Sequence, residues 1–359
     1  KPTYVKGQIL CQLYSLDDTS VFKSHTISFK YEVVSQEMKI VNLHFDPSLM
    51  DENTLIANLS SRYSNSILHI QLNHRTYSRS QIPNDSNYNR QKTFWDLVNA
   101  PNAWNKVTGG LSRQGDTIVI AMIDDGIDTG HIDIQKNLWR NYGEIPNDGI
   151  DNDNNGYIDD YYGWNSYDST GNMIDQFEKA RHGTSVAGLM AADGNNNQGV
   201  TGANWNVKIM TVVGGSFNEA KNIEAFEYIL KQKKLYLATN GKQGAYIVSA
   251  NCSWGIGGVF PKDAPLWCAF YDSLGAYGIT TVAATVNGNN DVEQSGDMPS
   301  LCESEHLVIV TNINSLSDVK VVGAGYSNKF VDLGAPGNGT FSLCAQTSCS
   351  SPYKSFSGT

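Results

Sequence analysis

The stretch Thr117–His131 reads TIVIAMIDDGIDTGH, and the rest of the chain is best understood outward from it. Ile118 to Ile123 is an unbroken apolar run rich in β-branched residues. That length and composition predict a strand buried on both faces, as in a parallel sheet. The run stops at Asp124-Asp125-Gly126. In open α/β sheets, ligands and chemistry gather at the carboxyl ends of the strands, which makes Asp124 a candidate functional carboxylate. A lone aspartate in that place is as a rule a turn residue, because its side chain bonds nearby backbone N–H groups. A second stretch changes that reading.

The second stretch is His182-Gly183-Thr184-Ser185-Val186-Ala187-Gly188. Its small residues suit a helix packed tightly against a strand. An Asp followed about 60 residues later by such a His is one order in which a catalytic triad is written, the Asp…His…Ser order of subtilisin. On these residues the chain resembles the subtilase family. IDDGID at 123–128 resembles the family's Asp motif, and HGTSVAG at 182–188 its His motif. Ser357-Gly358-Thr359 resembles the start of its SGTS motif, whose last residue is the nucleophile. The resemblance implies a proform fragment that stops one residue before that serine and is inactive as it stands. The chain also opens at Lys1 instead of Met, so both ends read as cut.

Composition sets the outer bounds. A length of 359 residues suggests about two domains with ample material for a core. Hydrophobic content of 40% with 33 glycines fits a loop-rich α/β protein. The net charge of −10 and the absence of any Lys/Arg run argue against a nucleic-acid partner. No apolar stretch reaches the ~18 residues of a membrane span. Six cysteines are too few for a disulfide scaffold. Cys344 and Cys349 could close a local loop, and Cys268 could pair with Cys302, whereas Cys11 and Cys252 sit in apolar runs and read as free and buried. Spacing alone fixes none of these pairings, and no Cys/His cluster has zinc spacing.

Residues 1–78 read as a small α/β unit. Tyr4–Leu13, Glu37–Phe45 and Ile67–Leu72 are strand-like, and Asp51–Ser64 places Leu55, Ile56 and Leu59 at helical spacing after an acidic start. The pattern resembles the prodomain of subtilases, which chaperones folding and then inhibits; an unrelated accessory domain would read the same way. Residues 79–93 are polar and read as an exposed linker, with a maturation site at its start near Tyr77–Gln81. Residues 94–359 read as the catalytic domain, and Phe94–Gly109 resembles the first helix of mature subtilases. Strand-like runs at 117–123, 207–213, 245–251, 279–286 and 307–313 alternate with helical ones at 184–192, 217–237 and 265–276. The alternation predicts right-handed βαβ units in an α/β fold: a doubly wound parallel sheet with helices on both faces.

Between the Asp and His motifs lies DGIDNDNNGYIDD, residues 148–160. Oxygen donors alternate at Asp151, Asp153 and Asn155, and Gly156 follows, as in the opening of an EF-hand loop. Its twelfth position is Tyr162, where an EF-hand has a bidentate Glu, so the similarity is to the turn alone. Crowded carboxylates repel unless a cation neutralises them. Many extracellular subtilases carry an acidic calcium loop here, so the resemblance implies Ca2+. The expected ligands are Asp151, Asp153, Asn155, Tyr157, Asp159 and Asp160.

A triad also needs an oxyanion stabiliser. The segment TVAATVNGN resembles the family's strand end that presents an Asn amide to the oxyanion, which points to Asn287. Val286 stands where the family has Gly, which leaves Asn289 as a second candidate. Asn251 to Gly255 resembles the segment that pairs with substrate backbone, through Ser253, Trp254 and Gly255, and Gly214 belongs to the opposing segment. Asp125 stands where Ser or Thr is usual, and Ser185 where many members have a second His. The Asp pair is also a feature of the kexin branch; the other motifs are closer to bacterial secreted enzymes. The resemblance thus implies a serine endopeptidase, secreted or in the cell envelope, that acts on polypeptides. Asp124, His182 and Asn287 would be its catalytic residues, and its own prodomain its inhibitor. A rival reading is a pseudoenzyme, a subtilase fold kept as a calcium-dependent binding protein.

Overall fold

In the computed structural model, β5 (Val119–Asp124) is the centre of the larger sheet. Residues 3–75, 81–174, 179–215 and 218–359 are described. The chain divides into two units, Lys1–Arg79 and Ser80–Thr359. The expected maturation segment lies outside the described residues except for Gln81.

The first unit contains β1 (Tyr4–Leu13), β2 (Lys30–Ser35), β3 (Ile40–His44), α1 (Glu52–Arg62) and β4 (Ile67–His74). Its sheet has the order β2-β3-β1-β4 and is antiparallel throughout. Asp51 caps α1 by accepting the Thr54 N–H at 3.0 Å. Leu55 and Leu59 on α1 are fully buried against Ile9, Cys11, Val41 and Leu43. Each such leucine contributes about 1.5–3 kcal/mol.

The second unit opens with α2 (Tyr88–Leu97) and α3 (Ala100–Trp104). The expected single helix from Phe94 is broken at Asn99, whose φ of 59° is left-handed. Part of the expected linker is helical from Tyr88 onward. Gln91 is fully buried there because its amide is satisfied at both ends, by Phe341 O at 3.0 Å and the Thr201 N–H at 2.8 Å.

After β5 come β6 (Gly163–Asn165), α4 (Arg181–Ala191), β7 (Lys208–Val213), α5 (Glu219–Ala238) and β8 (Ile247–Cys252). Then follow β9 (Ile256–Gly257), α6 (Pro265–Gly275), β10 (Thr280–Ala284), α7 (Val292–Ser295) and β11 (Asp297–Met298). The unit ends with β12 (Leu307–Ile313), β13 (Leu333–Pro336), β14 (Thr340–Leu343) and β15 (Tyr353–Phe356). Seven strands form one parallel sheet in the order β13-β12-β10-β8-β5-β7-β6. Alternate residues of β5 serve opposite layers. Val119, Ala121 and Ile123 pack with Phe226, Tyr228 and Tyr271 of α5 and α6, and Met122 packs with Ala187 and Ala191 of α4. Helices therefore cover both faces, as the apolar run of β5 requires.

Cys268 pairs with Cys302 and Cys344 with Cys349, while Cys11 and Cys252 are free and buried. No helix among the described residues is long and apolar enough to cross a membrane.

Candidate active site

Strand register gathers the site. Ile123 on β5 and Ala283 on β10 are both level with Cys252 on β8, and Asp124 is level with Val213 on β7. Asp124, Ser253, Gly214 and Asn287 therefore all leave the sheet at one carboxyl edge. The Gly214 N–H donates to Asp124 O at 2.8 Å, which ties two of these strand ends together.

His182 sits at the start of α4. Its Nδ1 lies 2.7 Å from Asp124 Oδ1, the carboxylate 3% exposed and the imidazole 52% exposed. Asp124 Oδ2 is buried with no hydrogen-bond partner among the described residues. The charge of Asp124 raises the imidazole pKa to about 9, against the opposing effect of partial burial. The two sequence motifs thus meet as a buried acid hydrogen-bonded to a half-exposed base. Gly183 permits the approach: a Cβ there would lie 2.1 Å from Gly126 O. Gly188 does the same one turn on, where a Cβ would lie 2.4 Å from Ser342 Oγ.

Asn287 follows β10 and is exposed. Its Oδ1 accepts the Thr359 N–H at 3.0 Å and the Thr359 hydroxyl at 3.1 Å. The SGT segment is held on its other side as well. Asn312 Nδ2 donates to Gly358 O at 2.6 Å, and the Gly358 N–H donates to Gly337 O at 3.0 Å. Asn289 is engaged elsewhere, accepting from Lys320 Nζ at 3.0 Å. Thr359 also lines a groove of about 440 Å³ with Ile120, Val282, Ala284, Val310 and Ala335.

The Ser253–Gly255 segment and Gly214 lie side by side, with the Trp254 ring packed on Gly215. The Trp254 side chain faces inward: its indole stacks on Trp267 at 5.4 Å and donates to Ile123 O at 2.9 Å. It braces the strand end that carries Asp124, so only its backbone is left for a peptide. Ser253 Oγ accepts from Asn251 Nδ2 at 2.9 Å.

The acidic loop is built differently from its sequence pattern. Glu144, Asp153 and Asp160 offer carboxylate oxygens within 4.8 Å of one another. Hard oxygen donors of this kind suit a cation such as calcium. Asp160 is fully buried and its carboxyl is pushed up to about 6, first by burial and also by the charge of Asp153. Tyr228 Oη, Asn141 Nδ2 and Asn155 Nδ2 donate to Asp160. Asn155 thereby serves the cluster through its Nδ2. Asp151 is spent on the turn, accepting the Asn155 and Gly156 N–H groups at 3.0 and 2.7 Å. Asp159 accepts the Asp148 and Gly149 N–H groups at 3.0 and 3.1 Å. The Tyr157 ring packs on Tyr228 and Trp164 in the core. Glu144 escaped the sequence reading because it precedes the alternating pattern. Its Oε1 accepts the Asn152 and Asp153 N–H groups at 2.8 and 3.1 Å, so it organises the loop.

A further pair of buried carboxylates carried no motif. Asp133 is fully buried and Asp85 is 4% exposed. Burial and the charge of Asp85 push the Asp133 carboxyl up to about 6. Asp85 Oδ1 is buried without a hydrogen-bond partner among the described residues.

The subtilase family matches residues 115–359, and the chain belongs to that family. Its relatives include subtilisin-like protease 1 of Plasmodium berghei, 27% identical, with 74% of this chain and 43% of that protein covered. An extracellular protease of Xanthomonas campestris is also 27% identical, with 87% of this chain and 51% of that protein covered. The chain thus spans about half or less of the length of these relatives. Among solved structures, a protease from Pseudoalteromonas arctica superposes with a TM-score of 0.56 at 21% identity, over 77% of this chain and 82% of that one. The epidermin leader peptide processing serine protease of Staphylococcus aureus superposes with a TM-score of 0.52 at 15% identity, over 99% of this chain and 84% of that one. At these identities the structures speak for the fold, an α/β subtilisin-like one. Family membership fixes the class of the chain, and members of the subtilase family are serine proteases.

Proposed function

We propose that the protein is a secreted endopeptidase that cleaves peptide bonds through an Asp-His-Ser triad, and that residues 1–78 are its prodomain. The observation that carries this reading is the 2.7 Å contact between His182 Nδ1 and buried Asp124 at the carboxyl edge of the sheet. Asp124 fixes the ring and stabilises its cation. Its grip on Nδ1 leaves Nε2 to take a proton from the nucleophile and return it to the leaving amine. The nucleophile is the serine that the Ser357-Gly358-Thr359 motif implies immediately after Thr359 in the continuing protein. Asn287 donates from Nδ2 to the oxyanion, its Oδ1 being held by Thr359. Ser253–Gly255 and Gly214 hold the substrate as an added strand. The family's serine begins a buried helix, and the apolar groove beside Thr359 suits one.

We assign calcium to Glu144, Asp153 and Asp160. The ion supplies positive charge that offsets the repulsion of buried carboxylates and ties the loops together. The prodomain acts as the enzyme's inhibitor, and maturation cleavage falls near the start of 79–93. The experiment that tests the triad is covalent labelling of the full-length protein with a sulfonyl fluoride. Modification should fall on one serine directly after Thr359 and be lost in His182→Ala. Labelling elsewhere, or labelling indifferent to His182, would overturn the reading.

A further inference from the structure

We propose that Asp125 is a positioning residue for His182: its carboxylate supplies the missing N-cap of α4 and fixes the backbone from which the imidazole projects. The proposal rests on the triad reading of Asp124 and His182.

The chain enters α4 by an unfavourable route. Lys179 and Ala180 have φ values of 54° and 59°, two successive non-glycine residues in the left-handed region. Such residues persist only where the surroundings hold them. Ala180 occupies the cap position and offers no side-chain acceptor. The first N–H groups of a helix nevertheless need partners.

Asp125 provides them from the end of β5. Its Oδ2 accepts the His182 N–H at 2.9 Å and its Oδ1 accepts the Gly183 N–H at 2.6 Å. The side chain is 7% exposed, and burial together with the neighbouring Asp124 charge pushes its pKa up to about 7, while the Gly183 and His182 N–H groups and the helix dipole favour the anion. Opposite Asp125, Lys179 O accepts from Thr347 Oγ1 at 2.7 Å, which anchors the preceding turn. Asp124 and Asp125 thus hold the two ends of one residue: one the ring, the other the main chain. Ser or Thr, usual at this position in the family, offers one uncharged hydroxyl oxygen where Asp125 offers a separate carboxylate oxygen to each N–H. The charge of Asp125 also adds to the rise in the imidazole pKa that Asp124 dominates.

The test compares Asp125→Ala, Asp125→Asn and Asp125→Ser in the full-length protein. Loss of the clamp lets the ring wander, so kcat of Asp125→Ala should fall roughly 10- to 100-fold while KM stays within about twofold. Asn and Ser each keep one acceptor oxygen and should recover part of that loss. Hydrogen exchange of the His182 and Gly183 amides should quicken by about tenfold in folded Asp125→Ala. Wild-type exchange at both amides would overturn the proposal. So would a loss carried by KM alone, which would make Asp125 a substrate contact. Should Asp125→Ala fail to fold, the Asn and Ser variants give the same exchange reading. If the wild-type protein hydrolyses no peptide, the triad reading fails, while amide exchange still decides the clamp.

Discussion

His182 and Asp124 form a lopsided pair: the carboxylate is 3% exposed and the imidazole 52%, with 2.7 Å between Nδ1 and Oδ1. A buried anion whose second oxygen is unpartnered favours the imidazolium. The folded-state pKa of His182 therefore lies above its ordinary 6.5, at about 9. The stabilisation from this pair is full below about pH 6.5 and is lost as pH rises through the folded value. Asp124→Asn should lower the His182 pKa, read by NMR titration, by about one unit or more. An unchanged titration would mean that Asp124 does not govern the ring. In the wild-type enzyme the acid limb of kcat/KM should also fall above pH 6.5, because only neutral imidazole can accept the proton.

Gly183→Ala should destabilise the second unit and damage the site. The new Cβ would lie 2.1 Å from Gly126 O and 3.1 Å from the Asp124 Cβ, both on the strand end. Overpacking of this kind costs about 1–3 kcal/mol. Thermal melting checks it, and a melting temperature equal to that of the wild type would show that the strand end yields freely.

The carboxylates of Glu144, Asp153 and Asp160 crowd within 4.8 Å, and a cation bound only by the folded state stabilises it by mass action. Calcium should raise the melting temperature of the full-length protein and chelator should lower it. Asp153→Ala should blunt the response, whereas Asp151→Ala should leave the site able to bind, because Asp151 serves the turn. Melting that ignores calcium in the wild-type protein would remove the metal assignment.

A separated segment 1–78 should inhibit the mature enzyme, and limited cleavage should fall within 76–92. Inhibition assays with the isolated segment check the first and mass mapping the second. No inhibition at high segment concentration would favour an accessory domain.

Much of this site was legible because its chemistry lies in contiguous motifs. The apolar run ending at Asp124 gave a doubly buried strand, and HGTSVAG a helix whose glycines face a strand. The rest was legible only in part. Asp151 and Asp159 look like ligands in a linear pattern; both accept short-range backbone N–H groups, while Glu144, which precedes the pattern, brings its carboxylate beside those of Asp153 and Asp160. Asp125 reads as a departure at a Ser/Thr position, and its pairing with His182 and Gly183 appears only when strand end meets helix start. Strand β2 was missed because its residues are almost all exposed and show no alternation of burial. Asp85 and Asp133 were unreadable, being brought together across distant segments.

The most direct measurement is peptide hydrolysis by the full-length protein and its His182→Ala and Asp124→Asn variants, each checked for folding. A working triad predicts that either substitution lowers kcat by roughly 10⁴-fold or more while the fold is kept. Near-normal turnover in either folded variant would contradict the assignment of His182 as the base held by Asp124.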